Sequence, residues 1–231
     1  EFRAEDLIQA GIENVIAIIV DNSYQRGAWW AWGGISRNVM LVKNSELRIK
    51  RVKVTPSVNL QTKKGSVALQ CHVENNSLKD EKVRIHLKIF ENTLPQKLLV
   101  DTSISTSVSS ENTVIEHVFL PVPSFVKLWD INQPNLYQCE VSIIRDAAII
   151  NEKRSIFGFR NIEIKNQQLL LNGEAVRLAG FNRVHDHRAV GNTEPFWLVK
   201  KDLDYMKSIG CNMTRMMHAP LSPELLDYAD Q

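Results

Sequence analysis

Two clusters of polar residues follow apolar runs near the C-terminal end of the sequence, and their side chains are suited to binding hydroxyl groups. One cluster follows residues 176–181 and contains Asn182, Arg183, His185, Asp186 and His187. The other lies at the end of residues 212–217 and just beyond, and contains Arg215 and His218. Arginine presents several donors in a fixed plane, and neutral histidine presents one donor and one acceptor. In α/β barrels, polar residues at the ends of successive strands line a common site. We therefore expect a polar pocket in which Asn182, His185, Asp186, His187, Arg215 and His218 bind the ligand.

The residues around these clusters follow an order of strand, helix, strand, helix. Residues 176–181 and 212–217 are short β-prone runs. Between them, Thr193 is expected to cap a helix that has Glu194 and Pro195 in its first turn and ends at Gly210. Its apolar stripe is formed by Val199, Leu203 and Met206, and a second helix opens at residues 222–224. This order predicts the start of a TIM (β/α)8 barrel over residues 159–231; a complete barrel needs about 250 residues, so we expect only its opening units here.

The middle of the sequence, residues 48–158, alternates apolar and polar residues with a period of two. The inward positions fall into three rows: Val67, Leu69, Cys71 and Val73; Val83, Ile85, Leu87 and Ile89; Tyr137, Cys139, Val141 and Ile143. One dry and one wet face per strand is typical of antiparallel sheets packed as a sandwich. Tyr137, two residues before Cys139, fits the tyrosine-corner position of immunoglobulin-like domains. We predict an antiparallel immunoglobulin-like β-sandwich.

The first region, residues 1–47, has two further β-prone runs, at residues 15–20 and 38–42. Between them lie Trp29, Trp30 and Trp32, which could either pack against a sheet or form an aromatic platform for sugar rings. Because a single hairpin is marginally stable alone, we expect these runs to belong to the end of a larger β domain.

The composition excludes some classes of partner. The chain of 231 residues is 44% hydrophobic and has a formal net charge of +2, which argues against nucleic acid or an anionic membrane as the partner. No apolar run approaches the roughly 20 residues of a membrane helix. Three scattered cysteines do not form a disulfide framework, and we expect all three to be buried.

Six segments, in order along the chain, resemble segments of glycoside hydrolase family 2, the family of β-galactosidases, β-glucuronidases and β-mannosidases. They are residues 30–39 (W-x-x-G-G-I-x-R-x-V), 128–137 (L-W-x-x-x-x-P-N-L-Y), 158–163 (G-F-R-x-I-E), 171–183 (L-N-G-x-x-V-x-L-x-G-x-N-R), 201–212 (K-D-L-x-x-M-K-x-x-G-x-N) and 212–220 (N-x-x-R-x-x-H-x-P). The resemblance implies the end of a jelly-roll sugar-binding domain over residues 1–47, the sandwich over 48–158 and the barrel start over 159–231.

The resemblance also implies a retaining exo-β-glycosidase that is similar to β-galactosidases and needs no cofactor and no metal. Such enzymes use one glutamate as acid/base and another as nucleophile, about 5 Å apart. In the family both lie on later barrel strands, so we expect them beyond Gln231, no catalytic residue within the chain, and no activity from the chain alone. Glu194 and Glu224 are assigned structural roles at helix starts, where a carboxylate is favourable.

One departure bears on the substrate. After the Asn-Arg pair, β-galactosidases of the family carry a sugar-contacting histidine, and Val184 stands at that position here. The resemblance implies a carbohydrate substrate, but the difference at Val184 leaves the sugar open. The linkage, the compartment and the oligomeric state stay open as well.

Two alternatives from other classes remain. His185 and His187 would face the same way in an extended chain, as does the metal-binding pair of amidohydrolase barrels; zinc or iron would need further ligands from later strands. The chain could also be a non-catalytic carbohydrate-binding module, in which the tryptophan cluster would bind the glycan.

Overall fold

The computed structural model describes residues 4, 7–21, 23, 34–217 and 220–231, apart from the side chain of Met216. Trp29, Trp30, Trp32 and His218, to which the sequence assigned possible roles, lie outside the described residues. The chain divides into two compact units: one holds the described residues up to Val39 with Val184–Pro195, and the other holds Met40–Arg183 with Phe196–Gln231.

Two antiparallel sheets form most of the larger unit. One has the order β1-β2-β5, with β1 at Leu47–Asn59, β2 at Lys64–Asn75 and β5 at Asn112–Phe125. The other has the order β4-β3-β6-β7, with β3 at Glu81–Glu91, β4 at Lys97–Val108, β6 at Tyr137–Arg145 and β7 at Ala148–Phe157. All three predicted rows of inward residues are buried in one core between the sheets. The predicted sandwich is confirmed, because a period of two places every second side chain on the same face.

The tyrosine corner is also confirmed. The Tyr137 hydroxyl accepts a hydrogen bond from the Lys127 backbone N–H at 2.7 Å and lies 3.3 Å from the Lys127 carbonyl oxygen. The Tyr137 ring packs edge-to-face on Phe159 at 4.9 Å between centroids. These contacts hold the chain leaving β5 and the chain leaving β7 against the same core residue.

A small meander follows the sandwich, and a parallel strand pair with two helices follows the meander. The meander pairs β8 (Ile162–Lys165) with β9 (Gln168–Leu171), and β9 with β10 (Glu174–Ala175). Next come β11 (Gly180–Arg183), α1 (Phe196–Ser208), β12 (Met213–Met216) and α2 (Pro223–Ala229), with β11 and β12 paired in parallel. The strand and helix order is the predicted one. No described helix has the length and apolar character needed to cross a membrane.

The two predicted helix starts had different outcomes. Ser222 caps α2 as expected, accepting a hydrogen bond from the Leu225 N–H at 3.3 Å, with Glu224 in the first turn. The predicted cap at Thr193 is wrong: α1 begins at Phe196, and the Thr193 hydroxyl donates instead to the Val190 carbonyl at 2.9 Å. A tight turn ahead of the helix occupies the Thr193 side chain, so it cannot cap α1.

The strands predicted at residues 15–20 and 38–42 do not form, and no described residue before Leu47 lies in a strand. Val15 is 83% exposed and Ile19 is 96% exposed. A β-prone run becomes a strand only when another strand satisfies its backbone groups, and no described strand pairs with either run. Local composition therefore overestimated β structure here.

The cysteines are all free thiols, as expected, but only two of them are buried. Burial raises the pKa of Cys71 to about 11 and that of Cys139 to about 12, so both thiols stay protonated. Cys211 is only half-buried, contrary to expectation, because it lies in the turn between α1 and β12.

Candidate functional site

Asn182 and Arg215 lie side by side on the parallel pair formed by β11 and β12. The register pairs Asn182 directly with Arg215, and both side chains are exposed. Neighbouring strands lie about 4.8 Å apart, so the amide and the guanidinium can reach one bound group. The sequence predicted the first of these strands at residues 176–181, with Asn182 just beyond it. The structure has β11 at Gly180–Arg183 instead, so the strand begins later than predicted and Asn182 lies inside it.

Asn212 joins the two strands at their start. Its side-chain oxygen accepts the Ala179 N–H at 2.8 Å, and its side-chain nitrogen donates to the Arg177 carbonyl at 3.0 Å. Gly180 allows the close approach of the strands, since a Cβ at this position would overlap the Met213 carbonyl oxygen. These two residues fix the register that brings Asn182 opposite Arg215.

Arg183 belongs to the same polar cluster in the sequence, but its side chain has a different role. It is 6% exposed, and its guanidinium contacts the Asp202 carboxylate of α1 through Nε at 3.1 Å and Nη2 at 3.0 Å. The two contacts tie β11 to the helix that follows it. Arg183 therefore positions the strand, whereas Asn182 and Arg215 are open to solvent.

In the smaller unit, His187 lies in a tight turn within residues 184–195. The His187 N–H donates to the Gly191 carbonyl at 3.0 Å, the His187 carbonyl accepts the Gly191 N–H at 2.8 Å, and its Nδ1 accepts the Ala189 N–H at 3.2 Å. The chain bends at His185 and turns back from His187, so residues 185–187 are not the extended segment in which the two histidines would face the same way. Among the described residues, no three His, Cys, Asp or Glu side chains are grouped as metal ligands would be. Asp186, between the two histidines, is exposed.

Glu194 is the buried carboxylate of this loop, and sequence analysis assigned it to a helix start. Its side chain is 2% exposed, and its backbone is left-handed, with φ at 48°, outside α1. Arg37 Nη2 lies 3.1 Å from Glu194 Oε2, and His185 Nδ1 lies 3.6 Å from Glu194 Oε1. Both ring nitrogens of His185 are buried and make no hydrogen bond to the described residues. The structural role predicted for Glu194 is thus exerted through an ion pair, and the helix-dipole explanation for it is wrong.

Sequence analysis missed the pairing of Arg37 with Glu194. Arg37 stands in the quoted pattern of residues 30–39, but nothing local marks a partner 157 positions away. Burying an unpaired carboxylate costs folding free energy. The burial of Glu194 is therefore the one signal that this residue needs a cationic partner.

Comparison with family models covers most of the chain. Residues 47–160 match the model described as "Glycosyl hydrolases family 2", and residues 162–231 match "Glycosyl hydrolases family 2, TIM barrel domain". The two matches follow one another in the order expected from the sequence.

Curated relatives are similar to this chain in sequence, and solved structures are similar to it in fold. A β-galactosidase of Alteromonas mediterranea is 28% identical over 243 residues, covering 100% of this chain and 22% of the relative. A β-glucuronidase structure from glycoside hydrolase family 2 has a TM-score of 0.79 at 21% identity, covering 87% of this chain and 22% of that one. A β-galacturonidase of Eisenbergiella tayi bound to galacturonate has a TM-score of 0.69 at 23% identity, covering 81% and 32%. The chain spans about a quarter of the length of the curated relatives it matches.

Proposed function

Because the chain belongs to glycosyl hydrolases family 2, we propose that the protein is a retaining exo-β-glycosidase that hydrolyses O-glycosidic bonds of carbohydrates. The observation that carries this proposal is the pairing of Asn182 with Arg215 on two parallel strands within residues 162–231, the range that matches the family's barrel model. An amide and a guanidinium side by side supply both donors and an acceptor, which suits the hydroxyl or carboxylate groups of a sugar.

We further propose that the sugar is bound by Asn182, His185, Asp186, His187, Arg215 and His218. The exposed Asn182–Arg215 pair supports two members of this set directly. Neither glutamate considered above supplies the catalytic pair: Glu194 is buried against Arg37, and Glu224 lies in the first turn of α2.

The proposed domain organisation is the three-part division into residues 1–47, 48–158 and 159–231. The start of β1 at Leu47 supports the first boundary, and the change after Phe157 from long antiparallel strands to a meander and a parallel pair supports the second. The first part, for which we propose the end of a sugar-binding domain, is covered by the relative from Alteromonas mediterranea, which matches the whole chain.

The test is a screen of the full-length protein against a panel of aryl β-glycosides and aryl β-uronides. We expect turnover of at least one member, with the first-formed sugar retaining the β configuration by proton NMR. Arg215→Ala should lower kcat/KM by about 10- to 100-fold, the range for losing one charged hydrogen bond. Arg51→Ala, which removes an exposed arginine of β1, is the matched control and should leave the rate unchanged. No turnover on the whole panel, or an inverted product, would overturn the proposed reaction; an unchanged rate in Arg215→Ala would remove Arg215 from the site.

A further inference from the structure

The outer face of the β4-β3-β6-β7 sheet carries an open depression of about 600 Å3 at one end, away from the residues discussed above. It is formed where β3 begins, where β4 ends and where a two-residue turn joins β6 to β7. The polar residues that line it are Lys82, Arg84, Ser105, Thr106, Ser107, Arg145 and Asp146. Three cations, three hydroxyls and a single carboxylate thus line the space, and the Thr106 hydroxyl already donates to the Glu116 carboxylate.

The cations of this depression have few partners of opposite charge. Lys82 and Arg84 are exposed and make no ion pair or side-chain hydrogen bond with the described residues. The register places Ser107 beside Lys82, and Ser105 and Ile144 on either side of Arg84. None of these strand neighbours is acidic, and the one acid that lines the depression is Asp146 on the turn after β6.

The other two lining charges reduce this positive charge without cancelling it. Arg145 Nη1 lies 3.1 Å from the Glu81 carboxylate, so these two groups offset one another. Asp146 is exposed and lies on the turn, in a left-handed backbone conformation with φ at 51°. The Asp146 carboxylate offsets one of the two charges of Lys82 and Arg84, so the depression keeps one net positive charge.

The second half of β3 provides an internal comparison. His86 Nε2 lies 2.6 Å from the Asp101 carboxylate, and Lys88 is flanked by Asp101 on β4 and Glu140 on β6. The four basic residues alternate along one face of one strand, yet only this half faces acids. The absence of acids beside Lys82 and Arg84 coincides with the depression.

We propose that this depression binds an oxyanion: a sulfate, phosphate or carboxylate group. Arg84 would supply a planar pair of donors, Lys82 a mobile point charge, and Ser105 and Ser107 neutral hydroxyl donors at the sides. The anion has two sources with the same chemistry, a free inorganic ion or the sulfate or carboxylate group of a glycan. The site is distinct from the Asn182–Arg215 pair and does not depend on the proposed glycosidase activity.

The test is calorimetric titration of the full-length protein at constant ionic strength with sodium sulfate, a sulfated disaccharide, a uronic-acid disaccharide and a neutral disaccharide. We expect saturable 1:1 binding of at least one anion, weakened at least 10-fold by the double change Lys82→Gln and Arg84→Gln. Lys88→Gln, a neutralised lysine on the same face of β3, should leave the affinity unchanged. The double variant should keep the wild-type melting temperature because Lys82 and Arg84 are exposed.

The arms separate the two sources. Binding of sulfate as tight as that of the anionic disaccharides assigns a free ion, whereas a 10-fold preference for an anionic disaccharide assigns a glycan. The proposal is overturned if no anion binds saturably, if the neutral disaccharide binds as tightly as the anionic ones, or if the double variant binds as well as the wild type.

Discussion

Glu74, near the end of β2, accepts hydrogen bonds from three side chains, which hold its pKa well below the usual value of a glutamate. Lys50 Nζ lies 2.7 Å away, Arg48 Nε 2.6 Å away and Asn76 Nδ2 3.4 Å away. The hydrogen bond from Lys50, with those from Arg48 and Asn76, lowers the pKa of Glu74 from 4.5 to about 2, although burial acts in the opposite direction. The carboxylate thus joins β1, β2 and the turn after β2.

The size of its contribution follows from this pKa. A lowering of about 2.5, at 1.36 kcal/mol for each pH unit, corresponds to about 3.4 kcal/mol. Glu74 is 14% exposed but Lys50 is 50% exposed, so solvent screens the larger contact. We expect Glu74→Gln to lower the free energy of unfolding by about 2 kcal/mol near pH 7.

The direction of the Glu74 pKa shift determines how its contribution to the free energy of unfolding changes with pH. A carboxyl whose pKa is lower in the folded chain than in the unfolded chain stabilises the fold above pH 4.5, and this stabilisation is lost as the pH falls towards about 2. Urea unfolding of the wild type and of Glu74→Gln at a series of pH values should therefore show a constant gap above about pH 5.5 that narrows below pH 4.5. Glu163→Gln, an exposed position on β8, is the control and should show no gap. A gap that keeps its size down to pH 2, or no gap at pH 7, would refute the assignment of the stabilisation to the Glu74 charge.

Two further substitutions test the elements that position the site. Gly180→Ala should push β11 away from the Met213 carbonyl and cost about 1–3 kcal/mol locally; hydrogen exchange should then accelerate in β12 but not in β6, and unchanged exchange in β12 would contradict the close approach. Tyr137→Phe should lower the free energy of unfolding by about 1–2 kcal/mol because the Lys127 backbone loses its hydroxyl partner; urea unfolding beside the control Tyr205→Phe, at an exposed position, checks this, and equal stability of the two variants would contradict it.

The sandwich was predictable because its signal is local. Every second residue from Val67 to Val73 is apolar, and each of these side chains is at most 1% exposed. When one face of a strand packs against a core, this alternation alone identifies the residues that face inward. The cap at Ser222 was equally local, since the capping hydroxyl and the Leu225 N–H lie within one helical turn.

The errors arose where structure depends on partners far along the chain. Residues 15–20 have the composition of a strand but no pairing strand among the described residues. Thr193 has the composition of a cap, but its hydroxyl bonds to Val190 within the preceding turn. In both cases the local preference was read correctly, but the available hydrogen-bond partners decided which structure formed.

The sequence by itself determined the sandwich core, the order of the βα units and the family, because periodicity and motif spacing are properties of short stretches of chain. Only the tertiary structure decided that Asn182 lies opposite Arg215, that Arg183 instead holds Asp202, and that Glu194 is bound by Arg37. Register and ion pairing join residues 19 to 157 positions apart. Register and ion pairing depend on which segments of the chain come close together after folding. A local sequence pattern does not encode that proximity.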